Sequence, residues 1–237
     1  MAVTDEAILQ IKGMILSGEL RPGDRLPPEK ELSEHLGLSR GSLREAVKAL
    51  EVIRVLDVRR GDGTYVTSLD PGLLLEAISF VIDLHNDDSI LELFAVRRIL
   101  EAPAAALAAE RSTPEEVIGL RKLIDAVDRV TDIEGLVAHD LQFHAAVASL
   151  SGNGYLATLI ESLARGTERA RVWRGLTQAN ATERTLNEHA AIVDAIAVKD
   201  AGLAESLSIA HVAGIENWIR AWSTSDGQAP PSTKDIT

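Results

Sequence analysis

The sequence predicts a mostly α-helical protein that is built in two parts. Apolar residues recur at helical spacing over most of the 237 residues, signals for β-strands are confined to residues 52–67, and residues 223–237 lack apolar periodicity. We therefore expect three short helices and a β-hairpin in residues 1–68, an all-helical bundle of about seven helices in residues 69–224, and a disordered tail in residues 225–237.

The first part begins with three short helices. Four apolar residues at helical spacing define the first helix: Ile8, Ile11, Met14 and Ile15. A turn at residues 21–24 follows, and Pro27-Pro28 begins the second helix, which Gly37 ends because glycine accepts a positive φ there. Ser39 is suited to cap the third helix, whose inward face consists of Leu43, Ala46, Val47 and Leu50. Two stretches rich in β-branched residues, 52–60 and 64–67, then flank Gly61-Asp62-Gly63 and predict a hairpin.

The second part reads as helix without strand signals. We expect helices near residues 72–84, 88–111, 114–130, 134–151, 154–175, 181–199 and 201–223. Thr113-Pro114-Glu115-Glu116 has the composition of a helix start, with a cap, a first-turn proline and early acidic residues.

The composition excludes several classes of protein. Cysteine is absent, so there is no disulfide framework, thiolate zinc site or cysteine nucleophile. No apolar run reaches the roughly 20 residues that cross a bilayer, and no signal peptide pattern follows Met1, so we expect a cytoplasmic protein. The net charge of −12 is carried almost entirely by residues 69–237, because residues 1–68 hold ten Lys/Arg against eleven Asp/Glu. A partner attracted to cations is therefore expected at the N-terminal part.

The third helix is a candidate for reading double-stranded DNA. In the helix-turn-helix arrangement a helix is followed by a short turn, here one containing glycine, and by a second helix that enters the major groove. Arg40, Arg44 and Lys48 follow one another at four-residue steps and form one cationic stripe. Ser39, Gly41 and Ser42 are small enough to let the backbone and the hydroxyls approach phosphates or base edges. The alternative is a solvated helix face that Glu45 and Glu51 balance.

Residues 7–67 resemble the GntR family of bacterial transcription regulators. The resemblance rests on Ile15-Leu16-Ser17-Gly18-Glu19-Leu20-Arg21-Pro22-Gly23-Asp24-Arg25-Leu26-Pro27, Leu38-Ser39-Arg40, Leu43-Arg44-Glu45-Ala46 and Gly63-Thr64-Tyr65-Val66. It implies a winged helix-turn-helix in which Lys30, Arg40, Arg44 and the wing around Arg60-Gly61 touch an operator. One position departs from the family, which usually has glycine before the first wing strand where this chain has Arg54.

A set of histidines in the second part is a candidate metal site. The chain has six: His35, His85, His139, His144, His189 and His211. Asp140 and His144 are four residues apart on one predicted helix and therefore share a face, and His189 and His211 lie among apolar residues on two later helices. One carboxylate and three imidazoles suit Zn²⁺, Ni²⁺ or Mn²⁺, with Zn²⁺ preferred. Spacing alone leaves open whether the helices converge.

Residues 90–212 are similar to the FCD ligand-binding domain of the FadR subfamily of these regulators. The similarity rests on residues 93–101, on Asp140-Leu141-Gln142-Phe143-His144 with Gly152-Asn153, and on the stretch from His189 to His211. It implies that Asp140, His144, His189 and His211 hold a divalent metal that helps to bind a small organic acid, and that Arg97 faces the same pocket. It also implies a homodimer that releases its DNA operator when the carboxylate effector binds, as a repressor would, and a protein associated with the nucleoid when bound. The residues leave repression and activation open, and they do not distinguish a sugar acid, a dicarboxylate and a hydroxy acid as the effector.

Two other functions are compatible with the same residues. A regulator that responds to the metal ion itself would show operator affinity that follows metal concentration alone. A metal-dependent hydrolase would need a general base beside a metal-bound water. Glu188 adjoins His189 but is expected to face another way on the helix, so we predict no catalytic residues and no enzymatic activity.

Overall fold

The structure, a computed structural model, describes residues 3–70, 72, 90–127, 132–178 and 180–226. The chain divides into two compact units, Met1–Ala77 and Ile78–Thr237. The predicted helix at 72–84 and residues 227–237 of the predicted tail lie outside the described residues. No helix in the part that is described is long and apolar enough to span a membrane.

The first unit is a three-helix cluster with a two-stranded wing. The helices are α1 (Val3–Ser17), α2 (Glu29–Leu36) and α3 (Arg40–Val52), and the wing is formed by β1 (Leu56–Arg59) and β2 (Gly63–Val66). The strands pair antiparallel, with Leu56 opposite Val66 and Arg59 opposite Gly63. The mostly helical fold predicted from the sequence, with its N-terminal helix-turn-helix and wing, is confirmed.

Local signals in the sequence explain the ends of these helices. Gly37 ends α2 in the left-handed conformation with φ 67°, and the Ser39 side chain accepts a hydrogen bond from the Ser42 backbone N–H at the start of α3. Leu43, Ala46 and Leu50 are buried on the inner face of α3. Arg54, which stands where the resembling family has glycine, has φ 60° and therefore adopts the left-handed conformation that glycine would favour.

The second unit is an all-helical bundle. Its described helices are α4 (Ile90–Arg111), α5 (Pro114–Asp125), α6 (Ile133–Leu150), α7 (Gly154–Gly166), α8 (Glu168–Thr177), α9 (Ala181–Ala197) and α10 (Ala201–Asp226). Helix α10 packs most extensively on α4, and an alanine-rich core joins α4, α5, α6, α9 and α10. Helix α10 continues to Asp226, which is two residues into the predicted tail.

The predicted single helix at 154–175 is two helices, α7 and α8, separated at Thr167. Thr167 is fully buried and leaves helical geometry with ψ 6°. Its hydroxyl donates to the Ala164 carbonyl at 3.0 Å and accepts from Arg97 Nη1 at 2.8 Å. The Thr167 hydroxyl thus competes with the backbone N–H groups of a regular helix for a carbonyl, and the hydrogen bond from Arg97 stabilises the break.

Candidate functional site

The structure brings together the four predicted ligands in the interior of the bundle. Asp140 and His144 lie one turn apart on α6, His189 lies on α9 and His211 lies on α10. All four side chains are buried, and one potential ligand atom from each lies within 4.8 Å of all the others. The i, i+4 spacing on α6 therefore places Asp140 and His144 on one face, as the sequence predicts, and the packing of α9 and α10 against that face adds His189 and His211.

The distances between these atoms fit a single central cation. His211 Nε2 lies 3.2 Å from His144 Nε2 and 3.3 Å from His189 Nε2. Asp140 Oδ1 lies 3.5, 3.3 and 3.8 Å from the Nε2 atoms of His144, His189 and His211, respectively. Four ligands placed tetrahedrally about 2.0–2.1 Å from one ion would be about 3.4 Å apart. The observed separations scatter around that value.

Groups on the outer side of each imidazole determine which nitrogen faces the centre. His144 Nδ1 lies 2.7 Å from Glu101 Oε2, and His211 Nδ1 lies 2.8 Å from Glu188 Oε2. Because a carboxylate only accepts hydrogen bonds, His211 Nδ1 must donate to Glu188, while Glu101 pairs with His144 by charge, and two neutral rings would direct their Nε2 lone pairs at one another. A proton on one ring or a cation between the rings removes this repulsion.

His189 is supported by His139 and Phe143. His189 Nδ1 lies 3.2 Å from His139 Nε2, and the His189 ring stacks on Phe143 with centroids 3.8 Å apart. His139 is buried, and its contact with His189 Nδ1 makes it a support for that ring. Burial lowers the pKa of His189 to about 3, and burial also lowers the pKa of His139 and of His211. These rings are neutral near pH 7, as metal binding requires.

Carboxylates in the site are held in the charged form. Burial alone would raise the pKa of Asp140, but Arg171 and His144 hold that pKa well below its usual range. Burial would likewise raise the pKa of Glu101, which Arg97 and His144 keep below its usual range. His144 lies between the two carboxylates, which raise its pKa against the opposing effect of burial.

Three arginines surround the candidate ligands. Arg171, on α8, forms an ion pair through Nη1 with Asp140 Oδ2 and donates through Nη2 to the Ala164 carbonyl. Arg97, the predicted effector contact, is fully buried, and its Nε donates to Glu101 Oε1 at 2.6 Å. Arg174 follows Arg171 by one turn and is also buried. Both arginines of α8, which begins after the break at Thr167, are buried in the interior of the bundle.

Sequence reasoning missed four of these residues: Glu101, Thr167, Arg171 and Arg174. Glu101 was available as a signal because it follows Arg97 by four residues, the spacing of a helical ion pair. Glu188, which the sequence placed on another face from His189, instead holds His211 on the neighbouring helix. Only the tertiary packing reveals the other contacts.

The predicted DNA-reading residues lie on the exposed surface of the first unit. Six of them share this exposure: Lys30, Ser39, Arg40, Arg44, Arg60 and Gly61. Ser42 is half-buried because its backbone N–H and hydroxyl both contact Ser39. Arg44 Nε donates to Glu29 Oε2 at 2.7 Å, which fixes the direction of this guanidinium.

The wing presents a second cationic group beside the same surface. Arg59 Nε donates to Asp57 Oδ2 at 2.9 Å, and its guanidinium lies 4.3 Å from the centre of the Tyr65 ring. Arg60 and Gly61 lie in the turn between β1 and β2. Arg59 is thus tied to the body of the wing, and the turn leaves Arg60 at the tip.

Comparison with known proteins identifies a family for each of the two units. The model of the family described as "Bacterial regulatory proteins, gntR family" matches residues 3–66, and that of the FCD domain matches residues 92–214. The HTH-type transcriptional regulator LutR of Bacillus subtilis is 31% identical over 86% of this chain and 95% of its own length. The Uxu operon transcriptional regulator of Escherichia coli is 30% identical over 91% of this chain and 86% of its own.

Two further proteins extend the comparison. The galactonate operon transcriptional repressor of Escherichia coli is 29% identical over 89% of this chain and 93% of its own length. Among solved structures, Streptococcus agalactiae GntR superimposes with a TM-score of 0.68 at 26% identity, over 91% of this chain and 99% of that one. The similarity thus extends across both units.

Proposed function

Because the chain belongs to the GntR family of bacterial regulatory proteins, carries an FCD domain of the FadR-like type and is therefore a DNA-binding transcriptional regulator, we propose that a divalent metal and a small organic acid control its binding to an operator. The families and relatives that match are regulators rather than enzymes, so the hydrolase alternative is not supported.

The metal part of the proposal depends on the four converging ligand atoms. Asp140, His144, His189 and His211 would hold the ion, for which we propose Zn²⁺ because three imidazoles and one carboxylate suit it. The bound ion would act as a Lewis acid toward the carboxylate group of the effector. Glu101 and Glu188 fix the orientation of two imidazoles, and such supporting contacts are typical of metal-binding histidines.

The charge of the site and the name of one relative support a small organic acid as the effector. Buried arginines next to the candidate ligands favour an anion. The name of one relative connects that protein to the galactonate operon, and galactonate is a small hydroxy acid. We assign to Arg97 the role of a contact for the acid.

The DNA part of the proposal assigns roles on the first unit. We propose that a homodimer places two copies of α3 in successive major grooves of a two-fold operator. Arg40 and Arg44 would then read or position bases, while Lys30, Ser39 and Ser42 would contact the backbone together with Arg60 and Gly61 of the wing. Release of DNA on binding of the acid would make the protein a repressor.

Elemental analysis with native mass spectrometry of the purified protein tests the metal and dimer assignments together. We expect one divalent metal per chain, a dimer mass, and loss of the metal in His144→Ala. His35→Ala is the matched control, because His35 is an exposed histidine of the first unit whose contact with Glu19 is 3.8 Å long. A His144→Ala variant that keeps its full metal content would show that the metal assignment is wrong.

Operator binding separates this function from a regulator of metal alone. A DNA fragment selected from a randomised pool by the zinc-loaded protein serves as the probe in gel retardation. If the proposal holds, adding a carboxylate that the protein binds changes the affinity of zinc-loaded protein for this fragment. Affinity that changes with zinc but with none of the added acids would favour the metal-only alternative.

A further inference from the structure

The bundle buries more arginine side chains around the candidate ligands than carboxylates that pair with them. Arg97 pairs with Glu101, and Arg171 pairs with Asp140. Arg174 is only 4% exposed, and in the described part of the chain no carboxylate lies within ion-pair distance of it. Its Nε donates instead to the neutral amide of Gln178 at 2.6 Å.

Each of these arginines also has a buried N–H group without a hydrogen-bond partner among the described residues. The three groups are Arg97 Nη2, Arg171 Nε and Arg174 Nη2. A buried donor without a partner is costly, and the cost is larger when the group is charged. A divalent cation on the four ligands would add two further positive charges, so the interior favours an anion with more than one negative group.

The two arginines of α8 face one small cavity together with a candidate ligand. Arg171 and Arg174 are three residues apart and therefore lie on the same side of the helix. Both line a cavity of about 20 Å³ that Asp140 and Thr185 also line. The cavity thus joins the candidate metal centre to Arg174, which Glu188 and Asp140 attract only from beyond ion-pair distance.

We propose that the effector of this protein is a dianion, such as a dicarboxylate, whose second acidic group is bound by Arg174 with help from Arg171. This inference rests on the proposed function, in which the first carboxylate binds at the centre formed by Asp140 and the three histidines. Arg174 is a specificity residue in this scheme, because it distinguishes acids with two charges from acids with one.

The test compares dicarboxylates with their own monoamides. Malonate, succinate and glutarate differ from malonamate, succinamate and glutaramate by one charge at nearly constant shape. The zinc-loaded full-length protein is titrated with each compound by calorimetry. We expect at least one dicarboxylate to bind about tenfold or more tightly than its monoamide, since a charge-assisted pair of hydrogen bonds is lost in the monoamide.

Three variants test the role of Arg174. In Arg174→Gln the preference for the dicarboxylate should fall to within about twofold while zinc content is unchanged, and in Arg174→Lys part of the preference should return because the charge is kept. The matched control is Arg165→Gln, since Arg165 is an exposed arginine of α7 that pairs with Glu161. This control should behave like the wild type.

The outcomes distinguish the inference from the proposed function. If no dicarboxylate binds more tightly than its monoamide, or if Arg174→Gln retains the full preference, the dianion assignment is wrong even when zinc is bound and DNA binding responds to an acid. If the purified protein binds no divalent metal, the proposed function itself fails. A preference that Arg174→Gln removes and Arg165→Gln does not would support the inference.

Discussion

Replacing Glu101 by glutamine tests whether the site is organised by charge. Glu101 is 4% exposed and lies 2.6 Å from Arg97 Nε and 2.7 Å from His144 Nδ1. The substitution preserves size but removes the negative charge that balances a fully buried guanidinium. Breaking a buried ion pair in this way costs about 3–5 kcal/mol of unfolding free energy. Losing the partner of a metal-binding histidine lowers metal affinity by about tenfold to a hundredfold.

All three tryptophans lie in the second unit, at positions 173, 218 and 222, so urea unfolding followed by tryptophan fluorescence reports on the bundle. Unfolding is measured in EDTA, and zinc affinity by competition with a chelator. Glu161→Gln is the control, because Glu161 forms an exposed ion pair with Arg165 at 2.9 Å that contributes at most about 0.5 kcal/mol. Equal stability and equal zinc affinity in the two variants would refute the reasoning.

Three further predictions follow from the same contacts. Zinc at a hundred times its dissociation constant should raise the unfolding free energy of the bundle by about 2.7 kcal/mol over the EDTA-treated protein, as measured by tryptophan fluorescence; an unchanged midpoint would contradict a folded-state metal site. In EDTA, the unfolding free energy should fall as the pH drops from about 6.5 toward 3, because histidines take up protons in the unfolded chain while burial lowers the pKa of His189 in the folded chain to about 3. The raised pKa of His144 opposes part of this loss. An unfolding free energy that stays constant between pH 7 and 5 would contradict the buried neutral rings. Arg44→Ala should weaken binding to the selected DNA fragment by about tenfold or more in gel retardation while zinc content stays constant, and Arg165→Ala, which removes an exposed arginine of the bundle, should leave DNA binding unaltered.

Features that depend on sequence neighbours could be predicted. Gly37 and Ser39 mark the ends of α2 and α3 because a positive φ and a side-chain cap are local requirements. Asp140 and His144 share a face of α6 because helical geometry fixes the direction of residues four apart. The position of His189 and His211 beside them followed from the family resemblance and not from the spacing, since no local rule brings three helices together.

Features that depend on tertiary contacts could not be predicted in this way. Gly166 directly precedes Thr167 and is a local signal for a break, but a single glycine inside a helical pattern does not by itself end a helix. The contact that stabilises the break comes from Arg97, seventy residues earlier, which donates to the Thr167 hydroxyl. Glu188 illustrates the same limit. Its position next to His189 predicted only that it faces another way on the helix, and the packing of the next helix then brings His211 to it.

The size of the cavity indicates how binding of an acid could be coupled to a change in the bundle. The cavity of about 20 Å³ beside Asp140 and Arg174 has room for about one water molecule. An acid of three or more carbons therefore enters only if α8 or its arginines move away from α6. The acid then binds the expanded arrangement more tightly than the compact one, and this difference in affinity is the free energy available for a conformational change. Because Arg171 pairs with Asp140, a shift of α8 would be energetically linked to the coordination of an ion by Asp140.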